Sequence, residues 1–154
     1  MEYPNSTTFK ISVLIIILLG VKATGFDLNP VLRVTVVIRN DIPPHPTPLD
    51  LTVHCKSKQD DLGFHTLKFG ETFMFRFRPS PFPKIVQTLY FCSFTWPGNV
   101  YLHYLDVYNQ GVDNCRNCTW RIHTNGGCTD YRGYEQCHNW KGVALMDANN
   151  TSIM

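Results

Sequence analysis

The sequence predicts an all-β protein, an antiparallel β-sandwich of about seven to eight short strands braced by disulfides. In several stretches apolar residues alternate with polar ones at a period of two, and turn residues separate these stretches. No stretch beyond the N-terminus sustains the 3.6-residue apolar period of a helix. With 154 residues, 44% hydrophobic and 17% charged, the chain is expected to form one ordered domain. A β-barrel is the nearest alternative.

The N-terminus has the features of a secretory signal peptide, predicted to cover residues 1–25. A polar start ends at Lys10, an apolar stretch follows, and Ala23, Thr24 and Gly25 form a small-x-small cleavage site. The apolar stretch is much shorter than the about 20 residues that span a bilayer. We therefore expect a secreted, extracellular domain of residues 26–154, with no membrane insertion after cleavage.

Seven stretches are predicted to be strands. Apolar and polar residues alternate in residues 32–39, 49–55, 72–78 and 118–123, residues 101–108 are a mixed run, a short strand is expected at residues 128–131, and residues 88–96 are the seventh. Residues 88–96 are apolar on both faces, which predicts a central strand. Proline, glycine and aspartate punctuate the chain between the stretches, at residues 43–48, 61–63, 69–71, 79–83 and 96–99.

The cysteine count favours a disulfide framework, because an even number in a small secreted domain is typical of one. The six candidates are Cys55, Cys92, Cys115, Cys118, Cys128 and Cys137. Alternation places the first two and Cys118 on the inward faces of their strands. A zinc site using the later cysteines and His138 is the alternative, but its second half lacks paired-ligand spacing. We expect no metal and no other cofactor.

Low net charge and the absence of catalytic motifs argue against two other classes of protein, nucleic-acid binders and hydrolases. The formal net charge is +2 with no basic stripe, so nucleic acid is not an expected partner. Six histidines raise the alternative of a small secreted hydrolase, such as a nuclease with two-histidine acid and base chemistry. No Ser-His-Asp order, phosphate loop or metal-binding histidine pair accompanies them. We predict no catalytic residue and no enzyme.

Aromatic residues raise a further alternative, a cell-wall or carbohydrate-binding module. Trp96, Trp120, Tyr101 and Tyr104 could form a platform on which sugar rings stack. The two tryptophans fall on predicted core faces, however, so packing is the favoured role.

Four motifs occur in a fixed order along the chain. They are His54-Cys55-Lys56-Ser57-Lys58, Asp60-Asp61-Leu62-Gly63, Phe91-Cys92-Ser93-Phe94 with Trp96, and Cys115-x-x-Cys118-x-Trp120. Together they resemble the plant self-incompatibility S-protein family and its homologues, over about residues 34–127. The resemblance implies a small secreted signalling ligand of β-sandwich fold, recognised by a membrane receptor in pollen self-incompatibility or a related cell-cell signalling role. We expect it to act as a monomer.

The same resemblance implies a core set of four cysteines. Cys128 and Cys137 are then additions that pair with each other as a third bridge. Cys55 and Cys92 are expected to pair with Cys115 and Cys118, in either of two connectivities.

Loops on the sandwich are the expected receptor contacts, because binding residues concentrate on loops held by a rigid scaffold. The candidates are residues 42–48, 56–61, 79–84 and 109–114. Three sequons are candidate glycosylation sites in the mature chain, at Asn117, Asn149 and Asn150. The middle residue of the first sequon is itself a predicted disulfide cysteine.

Overall fold

A computed structural model describes residues 33–44, 46–131 and 133–146, which fold into two five-stranded sheets packed as a sandwich. The predicted signal peptide and the sequons at Asn149 and Asn150 lie outside these ranges. The described residues contain no helix long and apolar enough to cross a membrane. The strands are β1 (Val34–Asn40), β2 (Leu51–Lys56), β3 (Asp61–Leu67), β4 (Thr72–Phe77), β5 (Leu89–Thr95), β6 (Tyr101–Asn109), β7 (Asn117–His123), β8 (Gly126–Tyr131), β9 (Tyr134–Asn139) and β10 (Gly142–Leu145).

The strand order is β4-β1-β7-β8-β9 in one sheet, sheet A, and β10-β6-β5-β2-β3 in the other, sheet B. Sheet B is antiparallel throughout, and β5 lies between two neighbours, which confirms the predicted central strand. Sheet A contains one parallel pair, β1 with β7, in which Thr35 lies opposite Asn117. The antiparallel prediction is wrong for this pair because β1 and β7 start at the same end of the sandwich.

Each of the seven predicted stretches contains a strand, and the structure adds three that the sequence analysis did not predict: β3, β9 and β10. Strand β3 begins at Asp61, in a segment that was expected to be a turn. Gly63 has a φ of 73°, and the pairing of β3 with β2 shifts register next to Lys56. Because the strand begins with a register shift and a glycine of positive φ, the residues there have the composition of a turn. All six residues of β9 are exposed, and β10 has only four, so neither shows an alternating pattern.

The core lies between the sheets and is filled by the inward residues of alternating strands. Val36, Ile38, Val53, Phe94 and Ile122 are fully buried. Burying a side chain of this kind stabilises the fold by about 1.5–3 kcal/mol. The cysteines predicted to point inward, at 55, 92 and 118, are buried as well, which confirms the predicted orientation.

The structure pairs the cysteines as Cys55–Cys92, Cys115–Cys118 and Cys128–Cys137. The last pair is the one that the sequence analysis expects. The expected pairing of Cys55 and Cys92 with Cys115 and Cys118 is wrong, because Cys55 and Cys92 lie directly opposite each other on neighbouring strands of sheet B. Inward orientation could be predicted from alternation, but the neighbour of each strand could not.

Asn40 is a fully buried polar residue at the end of β1. Its Nδ2 donates hydrogen bonds to the carbonyl oxygens of Leu49 and Leu67, at 2.8 and 2.9 Å. Its Oδ1 accepts a hydrogen bond from the Ile42 N–H at 3.1 Å. One side chain thus joins the proline-rich connection and the end of β3 to sheet A.

Candidate recognition surface

Three connections of the sandwich meet at the end opposite Asn40: residues 57–60, 78–88 and 110–116. Strand register places them together, because Lys56 lies opposite both Asp61 and Phe91, and Leu89 lies opposite Asn109. We call this group of connections the loop end. It contains most of three of the four predicted recognition loops. The fourth, the proline-rich segment of residues 42–48, lies at the Asn40 end of the molecule.

Gln110 joins two connections of the loop end through its side chain. Its Oε1 accepts hydrogen bonds from the Ser80 and Thr88 N–H groups, at 3.2 and 2.9 Å. Its Nε2 donates to the Ser80 carbonyl oxygen at 2.9 Å, and its own N–H donates to the Thr88 carbonyl oxygen at 2.9 Å. Residues 78–88 are therefore held at both ends of the connection. The sequence analysis did not single out Gln110, because one glutamine in a polar loop forms no pattern.

Asp60 fixes the third connection to the core. The Tyr90 hydroxyl donates a hydrogen bond to Asp60 Oδ2 at 2.5 Å. Burial, together with this carboxylate, raises the pKa of Tyr90 to about 12, so the hydroxyl keeps its proton at neutral pH. Ser57 Oγ accepts hydrogen bonds from the N–H groups of Gln59 and Asp60, which closes the turn. These hydrogen bonds hold the turn beside β5.

A groove of about 350 Å³ opens between this turn and β4. Its aromatic part is formed by Phe75, Phe77 and Tyr90, with the Tyr90 ring centroid 5.1 and 4.4 Å from those of the two phenylalanines. Its basic part is formed by Arg76 and Arg78. Ser57, Gln59, Asp60, Leu62 and Thr88 complete the lining.

Apolar side chains project into solvent from the loop end. Phe82, Ile85, Val86 and Val112 are 67%, 82%, 52% and 80% exposed. Contiguous exposed apolar surface is typical of interaction sites, whereas isolated exposed residues are not. Basic side chains accompany them at Arg76, Arg78, Lys84 and Arg116, and within the described ranges none of these four forms an ion pair. The loop end is therefore apolar and basic.

His54 belongs to a charged cluster on the outer face of sheet B. Its Nε2 donates to Asp61 Oδ1 at 2.6 Å, and Lys56 Nζ lies 3.1 Å from Asp61 Oδ2. Asp61 also accepts a hydrogen bond from the Gly63 N–H at 3.0 Å. The hydrogen bonds from His54, Gly63 and Lys56 hold the pKa of the Asp61 carboxyl well below its ordinary value of 3.8. These contacts stabilise the irregular start of β3.

His103 lies on the opposite face of sheet B, inside the sandwich. Its ring stacks on Trp96, with centroids 4.7 Å apart, and contacts Trp140 at 4.9 Å. Asn99 Oδ1 accepts the Tyr101 N–H, so Asn99 Nδ2 donates to His103 Nε2 at 2.8 Å. Burial lowers the pKa of the imidazole. His123 lies on β7 of sheet A, so the structure does not bring it together with His54 or His103 as an acid and base pair.

The residues of the suggested sugar platform are divided between core and surface. Trp96 and Trp120 are buried, which confirms the packing role, and the Trp120 indole N–H donates to the Val107 carbonyl oxygen at 2.8 Å. Tyr101 is 44% exposed, and Tyr104 is half-buried. Trp120 also borders a larger cleft, of about 640 Å³, between β6 and strands β7–β9. Two ion pairs, Lys141–Asp106 and Arg121–Asp130, include residues of its rim.

The sequon at Asn117 begins β7, next to the loop end. Asn117 and Thr119 are exposed, whereas Cys118 between them is buried and bonded to Cys115. The asparagine is accessible at the surface in the folded protein.

Comparison with known proteins tests the resemblance that the four motifs indicate. The sequence matches the family described as plant self-incompatibility protein S1 over residues 35–140, further than the four motifs extend. S-protein homolog 29 of Arabidopsis thaliana is 36% identical over 83% of this chain and 93% of its own length. S-protein homolog 5 of the same plant is 34% identical, covering 86% and 98% of the two chains, and S-protein homolog 2 is 40% identical, covering 72% and 70%. The resemblance is confirmed, and the chain belongs to the plant self-incompatibility S1 protein family.

Proposed function

We propose that this protein is a secreted signalling ligand that a cell-surface receptor protein recognises, in pollen self-incompatibility or a related cell-cell signalling role. Membership of the self-incompatibility family supports the biological class. The signal peptide expected at residues 1–25 supports secretion, and so do three disulfides, since such bridges persist in oxidising compartments. The protein binds its receptor as a monomer.

The observation that carries this proposal is the construction of the loop end. Gln110 and Asp60 fix its connections through hydrogen bonds, while Phe82, Ile85 and Val112 remain exposed. Ordering a loop on binding costs free energy, so loops that are already ordered bind more tightly. Exposed apolar residues on fixed loops therefore suit the binding of a partner protein, because exposed apolar patches mark interaction sites and little loop entropy is lost.

A ligand is favoured over the two alternative functions by the positions of particular side chains. A two-histidine hydrolase needs facing imidazoles, but His54 and His103 lie on opposite faces of sheet B. A sugar platform needs exposed indoles, but Trp96 and Trp120 belong to the core. The proposed role is therefore binding without catalysis.

Photo-crosslinking on intact plant cells tests the proposal. The secreted, oxidised protein of residues 26–154, with a photoreactive group at Lys84, is expected to label a membrane protein saturably. Unlabelled protein should compete for the same sites. Binding that survives protease treatment of the cells, combined with selective binding on a glycan array, would instead support a carbohydrate-binding module.

A triple variant, Phe82→Ser, Ile85→Ser and Val86→Ser, tests the surface itself. Because these side chains are exposed, we expect the fold to persist and receptor binding to weaken at least tenfold. The matched control is Val143→Ser with Leu145→Ser, two exposed apolar residues of β10. Equal loss of binding in both variants would show that the loop end is not the contact surface.

A further inference from the structure

Among the strands that the structure describes, β4 is at the edge of sheet A and pairs with β1 alone. The Asn40 N–H donates to the Glu71 carbonyl oxygen, and the Thr35 N–H donates to the Arg116 carbonyl oxygen. Even-numbered residues of β1 therefore bond to β4, and odd-numbered residues bond to β7. By the same register, the backbone groups of β4 that point away from β1 are those of Thr72, Met74 and Arg76.

These outward backbone groups belong to residues whose side chains are also exposed. Met74 is 52% exposed, and Arg76 and Arg78 are exposed next to it. Both arginines line the 350 Å³ groove at the loop end, and neither forms an ion pair within the described part of the chain. One edge thus offers backbone donors and acceptors, an apolar side chain and two guanidinium groups.

The other sheet edges are less suited to adding a strand. The pairing of β2 with β3 shifts register at the start of β3, where Gly63 has a positive φ, and β10 has only four residues. On β9, Cys137 is tied to β8 by a disulfide and Glu135 is paired with Arg121. Strand β4 pairs with β1 in one unbroken register over six residues.

We infer that β4 binds an extended acidic segment of a partner protein, which joins sheet A as a sixth strand. The inference rests on the proposed function, since the partner is the proposed receptor. Main-chain hydrogen bonds to an exposed edge supply affinity in this mode of recognition, and alternate side chains supply specificity. Carboxylates are the occupants that fit Arg76 and Arg78, because guanidinium binds carboxylate in a bidentate geometry.

The spacing of the exposed side chains along this edge specifies which residues a matching partner segment carries. Met74, Arg76 and Arg78 share one exposed side at intervals of two residues. The matching segment carries one apolar and two acidic residues at alternate positions. A second copy of β4 is not the matching occupant, because Thr72–Phe77 contains no acidic residue that could pair with Arg76 and Arg78.

Nuclear magnetic resonance titration tests the inference with a defined probe. The probe is an acetylated, amidated peptide Thr-Glu-Thr-Glu-Thr-Leu-Thr, and its control replaces both glutamates by lysine. We expect the acidic peptide to shift the amide resonances of Met74 and Arg76 and to slow their hydrogen exchange. The lysine peptide should bind at least tenfold more weakly. Equal binding of the two peptides, or shifts confined to β9 or β10, would overturn the inference.

Two variants separate the backbone contribution from the charge contribution. Met74→Pro removes an N–H that points away from β1, and proline is tolerated at such edge positions. It should reduce peptide binding at least tenfold, whereas Met74→Ala keeps the N–H and should retain most binding. Arg76→Glu with Arg78→Glu should abolish binding, whereas Lys68→Glu, at the Asn40 end, should not change it. If Met74→Pro and the double arginine variant still label the receptor as wild type does, the edge inference fails while the proposed function stands.

Discussion

Cys55 and Cys92 lie directly opposite each other on β2 and β5, with their Cα atoms 4.0 Å apart, so the bridge between them lies within sheet B. It joins residues 37 positions apart, whereas Cys115 and Cys118 are only three positions apart. A disulfide restricts the unfolded chain more when it closes a longer loop. We expect the paired alanine substitution to cost about 4 kcal/mol at Cys55 and Cys92 and about 2 kcal/mol at Cys115 and Cys118.

Urea denaturation of the two double variants measures these costs. The bridge between Cys128 and Cys137 spans nine positions and should fall between them. A larger cost at Cys115 and Cys118 would show that native-state contacts outweigh loop closure.

Gln110→Ala should destabilise the loop end. The substitution removes two hydrogen bonds accepted from Ser80 and Thr88 and one donated to Ser80. At about 0.5–1.5 kcal/mol for each of these three bonds, the free energy of unfolding should fall by about 1.5–4.5 kcal/mol. Amide exchange of Thr88 should accelerate, and that of Ser80 less so, because the Ser80 N–H also donates to Thr88 Oγ1 at 2.9 Å. Gln136→Ala, on the exposed strand β9, is the control and should have little effect on either measurement.

Asn40→Ala should lower the free energy of unfolding more than substitution of an exposed polar residue does. It leaves the carbonyl oxygens of Leu49 and Leu67 and the N–H of Ile42 without their partner. Each buried group left unpaired costs about 1–3 kcal/mol, so a loss of about 3 kcal/mol or more is expected by thermal or urea denaturation. Asn114→Ala, at an exposed asparagine of the loop end, should change stability by less than about 0.5 kcal/mol.

His103 should make the protein less stable in mild acid. Burial lowers its pKa below the ordinary value of 6.5, so the unfolded chain binds a proton more readily than the folded chain does. The corresponding stability is fully present above about pH 6.5 and is lost as the pH falls toward the folded pKa. His103→Phe should flatten that part of the stability profile, as measured by urea denaturation across pH. A ring-proton titration midpoint at or above 6.5 would contradict this.

Local alternation was sufficient to predict the strands that bury one face. In β1 and β2, every second residue is buried, and the pattern is visible in the sequence. Strand β9 has no such signal, because its side chains are exposed on both faces. The same alternation indicates that Asn40 is buried, because it occupies the inward position that follows Val36 and Ile38 in β1.

The recognition surface was predictable only in part. Turn residues identified the loops around Ser80 and Gln110 separately, but sheet order brings them together, and it depends on contacts between distant strands. The same reason explains the wrong disulfide pairing. Because alternation gives the face of a strand and not its neighbour, Cys55 could be placed inside the sandwich but not beside Cys92.

The parallel pairing of β1 with β7 has a consequence for how the chain acquires its structure. Thr35 and its register partner Asn117 are separated by about 80 residues, so β1 is synthesised long before the strand that flanks it. Pairings between such distant segments slow folding and leave strand edges exposed in the meantime. The described strand pairs of sheet B are all antiparallel and closer in sequence, and short turns join two of them, β2 with β3 and β5 with β6, so sheet B can form first. We expect completion of sheet A around β1 to be the slow step of folding and the stage most vulnerable to aggregation.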